Sequence, residues 1–591
     1  MSRFLICTSD RRSWKIDRSI IFLGLWCLSL KKRQKKSKID YIFSEPYGIK
    51  KHEKYNNQIL VNKYKRIVLS QLVKKLNKRH GINFNSRLWN IIIGHWLERV
   101  IKVTYNRFQT LEKCFSENEI TGFTLTKDHF TNFIPTNSND CLYLFNNEEF
   151  NNYLFSLMLE KNNNRDFQVS YSAVNKSIKN GPSPIRRNFS IKPFILNLFN
   201  LLNVKSSFFY ISTYLPLHIL FRLSLSVNQI PSYFYKSEPK VVKPYDLIFR
   251  EGKLFEVIEA QVKDKNLDEF LIFLNENIIK LLPSSYVELF TDYQKHPKAL
   301  NWPRSPRTIF TSNNFDTDDV FKIWVSHMVE RGAKYFVGQH GNNYGTSKYL
   351  ASKTVEEETS DGFISWGWNN NSKNIIKGFY FKNNNYFKNK FKKITTRNRI
   401  LIVTLPMLYQ YNTWDDCFIY EEYLKKLSIL LKKVSDLPTN KNFMVRLHQA
   451  RLNTFFDESS YLQDKFDKLL FDNGSVNINK LYKKHSLVIH TYDSTGIFET
   501  LTKNIPTLIL ITDGFESHNI VGKNIYQILK DCGLLFFTSE TLFNKIIEIE
   551  GKHMEWWNNK TVQDARKQFL NFYAIESQSP VQLLKNAMSL K

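Results

Sequence analysis

The sequence predicts an α/β protein built on open, parallel, doubly wound sheets. From Ile400 to the carboxyl terminus, short apolar segments alternate with helical segments, as they do where helices connect parallel strands. Several of these strands are apolar throughout, which is typical of strands that helices cover on both faces. A strand–helix–strand unit at residues 308–337 indicates a further parallel sheet in the first half.

The elements of the second half follow from apolar runs and end signals. The predicted strands are 400–405, 442–447, 486–490, 506–511 and 534–537. The predicted helices are 420–434, 459–470, 496–503 and 541–548, with a long helical stretch from residue 561.

The first half is less regular. Residues 4–8 are predicted as a buried strand, and apolar positions at helical spacing cover 55–112, with an interruption near Gly81. Strands are predicted at 308–311 and 334–337, joined by a helix that Asp316 or Thr317 caps and Gly332 ends. The order of the elements between residues 140 and 300 stays open.

A basic, Asn-rich stretch at residues 373–398 is predicted as a linker. It divides the chain into an amino-terminal domain, residues 1–372, and a carboxyl-terminal domain, residues 399–591. The length is enough for about three to four average domains or for two large ones.

Composition excludes several classes of protein. An apolar fraction of 42% in 591 residues supports full cores, which rules out a disordered or a small disulfide-stapled protein. The 84 Lys and Arg residues exceed the 55 Asp and Glu residues by 29. This excess favours polyanionic partners, namely nucleic acid, an anionic membrane surface or phosphorylated small molecules.

Cysteine spacing and the apolar runs indicate a cytoplasmic protein. The six cysteines show no Cys-x-x-Cys pair, so we expect buried free thiols of a reducing compartment and no metal centre. The apolar run at residues 19–30 is shorter than the roughly 20 residues that cross a bilayer.

Ligands of open parallel sheets bind at the carboxyl ends of strands, and three such ends carry polar residues. The first is the loop Gln339-His340-Gly341-Asn342-Asn343-Tyr344 after the strand at 334–337. His340, carried on a loop with three glycines, suits general acid–base chemistry, because the pKa of an imidazole lies near neutrality. The alternative is a turn whose histidine is simply solvated.

The second end is Arg446-Leu447-His448, in which Arg446 and His448 project to the same side of the strand. An arginine beside an imidazole suits a clamp for phosphate or carboxylate. The alternative, an arginine that pairs with an acid at the sheet edge, is equally compatible with the residues.

The third end is Asp493-Ser494-Thr495-Gly496, between an apolar strand and a helix start. The free N–H groups of a helix start receive phosphate, and Glu499 one turn later suits hydrogen bonds from a ribose. Helix capping alone is the alternative, and it is compatible with phosphate binding.

These sites belong to a longer collinear set of motifs. In chain order, the whole set, including the three site motifs, is Phe22-Leu23-Gly24-x-Trp26-Cys27, His80-Gly81, Arg87-x-Trp89, Ile93-Gly94-x-Trp96-Leu97, Gln339-His340-Gly341, Tyr344-Gly345, Trp366-Gly367-Trp368, Arg446-x-His448 and Asp493-Ser494-Thr495. With this set the chain resembles a family of transferases found with O-antigen and other surface-carbohydrate genes. It is more distantly similar to CDP-glycerol glycerophosphotransferases and capsular Kdo transferases.

The resemblance implies the GT-B architecture: two Rossmann-like domains facing across a cleft, here with extra helices in the amino-terminal half. It implies a metal-independent glycosyltransferase or glycerophosphotransferase-like enzyme. The expected reaction moves a glycosyl or polyol-phosphate group from a nucleotide-activated donor to a glycan or lipid-linked glycan acceptor. No cofactor beyond the donor substrate and no specific nucleic acid is expected.

On this interpretation each candidate residue has a role. Arg446, His448, Ser494, Thr495 and Gly496 hold the donor phosphates, and Glu499 holds the ribose. His340 is the catalytic base. Gln339, Gly341, Asn342 and Tyr344 form the acceptor-side loop. The basic surface docks at the anionic inner face of the membrane.

The residues are also compatible with two other functions. The first is a non-catalytic, basic nucleic-acid- or membrane-binding protein, in which charge itself is the function. The second is a nucleotide-sugar epimerase of the same fold, which needs no acceptor.

Overall fold

The computed structural model describes most of the chain. The described residues are 2–29, 39–48, 51–160, 168–173, 200–231, 234–255, 269–348, 354–370, 372–382, 398–405, 420–448 and 458–590. Within them the structure contains three sheets, and every pair of neighbouring strands in these sheets is parallel.

The amino-terminal sheet has five strands in the order β3-β2-β1-β4-β5. The strands are β1 (Arg3–Ile6), β2 (Ile20–Phe22), β3 (Tyr41–Phe43), β4 (Ile120–Lys127) and β5 (Gln168–Ala173). The accompanying helices are α1 (Lys51–His80), α2 (Ser86–Glu117), α3 (Ser138–Leu144) and α4 (Glu148–Leu159). Gly81, with φ +64°, ends α1, and the Asn85 side chain caps α2 by accepting from the Leu88 N–H.

The central sheet also has five strands, in the order β10-β9-β8-β7-β6. They are β6 (Phe208–Ile211), β7 (Thr308–Thr311), β8 (Lys334–Gly338), β9 (Gly362–Ser365) and β10 (Ile375–Lys377). The helices of this part are α5 (Leu217–Ser226), α6 (Leu247–Glu251), α7 (Glu269–Asn277), α8 (Phe290–Ala299), α9 (Asn314–Thr317), α10 (Asp319–Glu330) and α11 (Val355–Thr359).

The carboxyl-terminal sheet has six strands in the order β13-β12-β11-β14-β15-β16. They are β11 (Ile400–Val403), β12 (Phe443–Arg446), β13 (Leu470–Asp472), β14 (Leu487–His490), β15 (Thr507–Leu510) and β16 (Leu535–Phe536). This is the Rossmann strand order, in which the chain reverses direction across the sheet between β11 and β14. Ligands of such sheets bind at that switch point.

The helices of the last third of the chain are numerous and short. They are α12 (Tyr420–Ser435), α13 (Glu458–Lys465), α14 (Ile478–Tyr482), α15 (Thr495–Thr502), α16 (Ile520–Asp531), α17 (Ser539–Glu548), α18 (His553–Trp557), α19 (Lys560–Tyr573) and α20 (Pro580–Met588). None of the helices in the described part of the chain combines the length and apolar character needed to cross a bilayer.

The structure confirms the predicted α/β class with parallel sheets. All five strands predicted in the second half are present, and β13 is an additional one at the end of the predicted helix 459–470. The strand predicted at residues 4–8 is β1, but the sheet around it was not predicted. Its neighbours β2 and β3 have only three residues each, which is too few for an alternation of apolar and polar residues to be recognised in the sequence.

Two local predictions change in the structure. The helix after β7 is capped by Asp318, whose side chain accepts from the Phe321 N–H, because residues 314–317 form the short helix α9 instead. Gly332, with φ +95°, follows α10 as predicted. The predicted linker 373–398 begins with β10, whose Ile375 is buried, and residues 383–397 lie outside the described residues.

The end of the chain returns to the central sheet. Ile575 donates its N–H to the carbonyl of Trp366 and accepts from the N–H of Tyr380, at 2.9 and 2.8 Å. Lys585 of α20 donates to the carbonyl of Ser226 of α5 over 3.0 Å. The residues after α19 therefore tie the carboxyl-terminal sheet to the central one.

Candidate functional site

The carboxyl ends of β8 and β14 meet in the structure. The N–H of Asn342, in the loop after β8, donates to Oγ1 of Thr495 at the start of α15 over 3.2 Å. A Cβ atom on Gly341 would lie 3.9 Å from the same oxygen. The space between these two strand ends, called the cleft below, therefore lies at the switch point of the carboxyl-terminal sheet.

Gln339 shapes the loop that carries His340. Its side chain is fully buried, and Nε2 donates to the carbonyl of Gly341 over 2.9 Å. Its Oε1 accepts from the N–H of Trp366 and from Nε1 of Trp368, at 2.9 and 2.8 Å. Because the whole amide is used within the protein, Gln339 positions the loop, and this explains how the Trp366-Gly367-Trp368 motif acts on it.

Gly345 ends the loop in a conformation that favours glycine. Its φ is +74°, and a Cβ atom there would lie 2.6 Å from the indole of Trp368. The hydroxyl of Tyr573, at the end of α19, donates to the carbonyl of the preceding Tyr344. The loop is thus held from the central sheet and from the last helices.

His340 is half-buried between two aromatic rings. The rings of Phe315 and Tyr344 each meet it edge-on at 5.5 Å. Burial lowers the pKa of His340 from 6.5 to about 4; the nearby charge of Asp316 opposes this shift, and those of Lys382 and Arg99 add to it. The imidazole is therefore neutral at pH 7, the form that accepts a proton.

Asn342 and Asp493 form a polar cluster under the loop. Nδ2 of Asn342 and the hydroxyl of Tyr526 both donate to Oδ1 of Asp493 over 2.6 Å. Nε2 of His518 lies 3.3 Å from the other carboxylate oxygen, Oδ2. The side chain of Asn342 therefore points toward the carboxyl-terminal sheet and ties the loop to it.

The start of α15 offers a ligand its backbone N–H groups more than its side chains. Ser494 is the N-cap, but it is 5% exposed and its hydroxyl lies 3.4 Å from Nδ1 of His490, beneath the helix. A Cβ atom on Gly496 would lie 2.6 Å from the same ring, so the glycine admits His490. N–H groups of a first helical turn have no partner within the helix, and this turn borders the cleft beside Thr495.

Arg446 and His448 lie elsewhere along the same sheet edge. In the strand register Arg446 is opposite Val403, and Val403 is opposite His490, so Arg446 lies two strands, about 10 Å, from the end of β14. Its Nη1 donates to the carboxylate of Asp472 and to the carbonyl of Val476. This is the pairing with an acid that the sequence left open. His448 is exposed just beyond β12.

Glu499 faces a cation that the sequence analysis missed. Nζ of Lys382 lies 3.6 Å from Oε1 of Glu499 and 5.1 Å from the ring centroid of Tyr214. Lys382 follows β10, and its charge also acts on His340. It belongs to the predicted linker, where a lysine among lysines and asparagines carries no positional signal. In the structure it is a cation that pairs with Glu499 and whose charge also acts on His340.

The far wall of the cleft holds strained backbone and a second ion pair. Ser212 and Tyr214, just after β6, have φ of +47° and +57°, which is uncommon for residues other than glycine and clusters at functional sites. Arg99 of α2 donates to the carboxylate of Asp316, and this pairing holds the pKa of Asp316 well below its usual range. Among the described residues no group of three or more His, Cys, Asp and Glu side chains could hold a metal ion.

Together the fold and the site define a parallel-sheet α/β protein with a candidate site where the central and carboxyl-terminal sheets meet. The family model described as LIC12162 family transferase matches residues 3–588, so the chain belongs to this family and is a transferase. The match confirms the resemblance to a transferase family inferred from the motifs.

Three solved structures that are similar to this chain are distant from it in sequence. A variant of the wall teichoic acid polymerase TagF is 11% identical, with 68% of this chain and 98% of that chain covered and a TM-score of 0.32. MnaA of S. aureus with UDP is 10% identical, with 66% and 98% covered and a TM-score of 0.35. The spinosyn rhamnosyltransferase SpnG with spinosyn aglycone is 12% identical, with 51% and 76% covered and a TM-score of 0.29. No curated protein matches the sequence.

Proposed function

We propose that this transferase moves a glycosyl or polyol-phosphate group from a nucleotide-activated donor to a surface-glycan acceptor of the O-antigen or capsule type. The observation that carries the proposal is the contact between the His340 loop and the start of α15. Through this contact the loop that carries His340 lies against a helix start that suits an anionic leaving group.

The donor lies against the carboxyl-terminal sheet in this proposal. N–H groups of the first turn of α15 and the hydroxyl of Thr495 bind the phosphates, and Ser494 and Gly496 shape that turn from beneath. Glu499 accepts hydrogen bonds from the ribose. Lys382, now paired with Glu499, adds a positive charge on the phosphate side. Arg446 would have to exchange Asp472 for a phosphate, and His448 would meet only the outer part of the donor.

His340 takes the proton from the acceptor hydroxyl in the proposed reaction. The hydroxyl oxygen forms the new bond to the transferred group, and the nucleotide leaves with the electrons of the bond that breaks. The charge on the leaving phosphate is stabilised by the amides of α15 and by Lys382, with no cofactor assigned to the step. Donors that are in place before the reaction need no reorganisation as charge develops.

A lipid-linked acceptor fits the surface next to the cleft. Helix α5 begins three residues after Tyr214, and its Leu217, Phe221 and Leu225 are 72%, 54% and 53% exposed on one face. With the net charge of +29, this face supports peripheral docking at the anionic cytoplasmic leaflet. Binding of wild-type protein and Phe221→Ser to anionic vesicles, with neutral vesicles as the control, tests this part; equal binding of both proteins to both vesicles contradicts it.

The central test is a thermal-shift screen of CDP-, CMP-, UDP- and GDP-linked donors, followed by product analysis with and without acceptor. A donor that binds only the folded protein stabilises it by about 2.7 kcal/mol at a hundred times its Kd. We expect one nucleotide class to raise the melting temperature and to release free nucleotide only when acceptor is present.

Two outcomes contradict the proposal. Conversion of the sugar without any acceptor would show an epimerase. Salt-dependent binding to nucleic acid, with no response to any donor, would show that the basic charge is itself the function.

A further inference from the structure

The imidazole of His340 is the first member of a chain of polar contacts that leads away from the cleft. Its Nδ1 lies 3.2 Å from the hydroxyl oxygen of Tyr344. The hydroxyl of Tyr344 donates in turn to Oε1 of Glu356 on α11. Tyr344 and Glu356 are buried, so water does not compete for these contacts.

The direction of the hydrogen bonds follows from the number of protons. Tyr344 has one hydroxyl proton, and Glu356 receives it. Burial and the charge of Glu356 raise the pKa of Tyr344, so the hydroxyl keeps that proton at neutral pH. Its oxygen can therefore only accept from His340, which places the imidazole proton on Nδ1 and leaves Nε2 as the free base.

The motif residues of α2 have no part in the proposed reaction, but they hold Glu356 in place. Helix α11 starts with a capping box between Thr354 and Glu357. Gly94 of α2 lets Val355 approach, since a Cβ atom on the glycine would lie 2.8 Å from Cγ1 of Val355. Arg87 donates to the carbonyl of Thr359, at the other end of α11, over 2.9 Å. Both ends of α11 are thus fixed around Glu356.

We propose that Tyr344 and Glu356 are positioning residues that hold His340 in the tautomer whose Nε2 takes the proton from the hydroxyl of the acceptor substrate. The inference rests on the proposed function, because it assigns His340 its protonation site for that reaction. It also gives the Tyr344-Gly345 motif and the motifs of α2 a shared role, namely orientation of the base.

The same chain makes the base sensitive to pH. Burial raises the pKa of Glu356 to about 7; the bond from Tyr344 opposes the shift, and the neighbouring Glu357 adds to it. His95 of α2 also faces the carboxyl, with Nε2 at 3.4 Å from Oε2, and burial lowers its own pKa to about 3, so it adds no positive charge. Glu356 therefore takes up a proton near neutral pH.

Protonation of Glu356 lets the chain of donors reverse. The carboxylic acid then donates to Tyr344, Tyr344 donates to Nδ1 of His340, and the imidazole proton moves to Nε2. In that state Nε2 carries the proton and has no lone pair with which to take a proton from the acceptor hydroxyl. We therefore expect turnover to fall as the pH drops through about 7, although His340 itself stays neutral down to about pH 4.

The test compares pH–rate profiles of kcat for the wild type, Glu356→Gln and Tyr344→Phe. Both variants should lose the acid limb near pH 7 and show kcat about 10- to 100-fold lower, with the KM for the donor unchanged. Tyr335→Phe is the matched control: Tyr335, on β8, has a buried hydroxyl with no hydrogen-bond partner among the described residues. It should keep the wild-type profile. An unchanged acid limb in Glu356→Gln, or an equal loss of kcat in Tyr335→Phe, overturns the inference.

A second measurement does not depend on turnover. In protein labelled with ¹⁵N-histidine and held well above pH 7, where Glu356 is ionised, the His340 signals, assigned by their loss in His340→Ala, should show a proton on Nδ1 in the wild type and mixed tautomers in Tyr344→Phe. Mixed tautomers already in the wild type refute the positioning role. If the tautomer is as expected while no donor reacts, the proposed function fails and the orientation of His340 stands.

Discussion

The N–H of Asn342 donates to Oγ1 of Thr495 over 3.2 Å, and through this bond the loop after β8 rests on the first turn of α15. Loop and helix belong to different sheets, so the bond fixes the distance between the candidate base and the candidate phosphate site. The side chain of Asn342 strengthens the contact through Asp493.

Replacing Asn342 with aspartate should open this contact. Asn342→Asp places a carboxylate against that of Asp493, where the amide now donates over 2.6 Å. Loss of a hydrogen bond to a charged group costs about 1.5–3 kcal/mol, so we expect kcat/KM to fall tenfold or more. Asn343→Asp adds the same charge one residue away and should change kcat/KM little. Equal effects of both variants would show that only net charge matters.

Removal of the His340 imidazole should slow turnover without weakening donor binding. The proposed donor contacts lie on α15 and on Lys382, whereas a positioned base is worth about 10²–10⁴-fold in rate. We expect His340→Ala to lower kcat by that order, with the donor-induced rise in melting temperature retained. The exposed His129 offers the control variant His129→Ala. Wild-type turnover by His340→Ala would remove the imidazole from the reaction.

Lys382 should contribute to donor binding more than to protein stability. Its Nζ faces Glu499 at 3.6 Å and is partly exposed, so its loss leaves no buried charge unpaired. A charge-assisted hydrogen bond to phosphate is worth about 1.5–3 kcal/mol, which predicts a 10- to 150-fold weaker donor Kd in Lys382→Ala. Lys377→Ala, an exposed lysine at the end of β10, is the control. Equal donor Kd values for the two variants would place the phosphates elsewhere.

His490 should make the protein less stable in acid. Burial lowers the pKa of His490 from 6.5 to about 3. As the pH falls, the unfolded chain therefore binds the proton first, and stability is lost between about pH 6.5 and pH 3. Between pH 7 and pH 5 the loss is about 2 kcal/mol.

His490→Phe keeps a ring in this position but cannot titrate. Urea denaturation at the two pH values should show that the variant loses about 2 kcal/mol less than the wild type on acidification. His129→Gln, at an exposed position, should lose as much as the wild type. An identical loss for His490→Phe and the wild type would mean that this ring does not titrate on unfolding.

A buried ion pair within α10 should contribute strongly to the stability of the protein. Asp319 of α10 lies 2.7 Å from Nζ of Lys322, and both side chains are fully buried. Asp319 also accepts from the N–H and hydroxyl of Ser138 and from the hydroxyls of Ser285 and Tyr286. Asp319→Ala leaves a buried cation unpaired and should cost about 3–5 kcal/mol.

The surface pair Lys432–Asp436, at 3.0 Å, supplies the control for that variant. Asp436→Ala should change the unfolding free energy by no more than about 0.5 kcal/mol, because exposed pairs are screened by water and salt. Thermal and urea denaturation measure both variants. A loss below 1 kcal/mol in Asp319→Ala would show that the serine hydroxyls and the tyrosine already satisfy Lys322.

The amino-acid sequence by itself determined the class of the fold and the position of the candidate base. Strands buried on both faces are mostly apolar, so β11, β14 and β15 could be predicted from local composition. Polar residues directly after an apolar strand are also a local signal, and the loop that carries His340 contacts Thr495 through Asn342. The collinear motifs identified a transferase family, which the family match confirms.

Only the tertiary structure decided which polar groups pair with each other. Arg446 pairs with Asp472, and Lys382 reaches Glu499 across the cleft, because residues far apart in the chain meet where parallel strands end. The bond from Tyr344 to Glu356 likewise depends on α2 packing against α11. A sequence shows which groups can donate or accept, but the direction of each hydrogen bond depends on which groups the packing brings within about 3 Å.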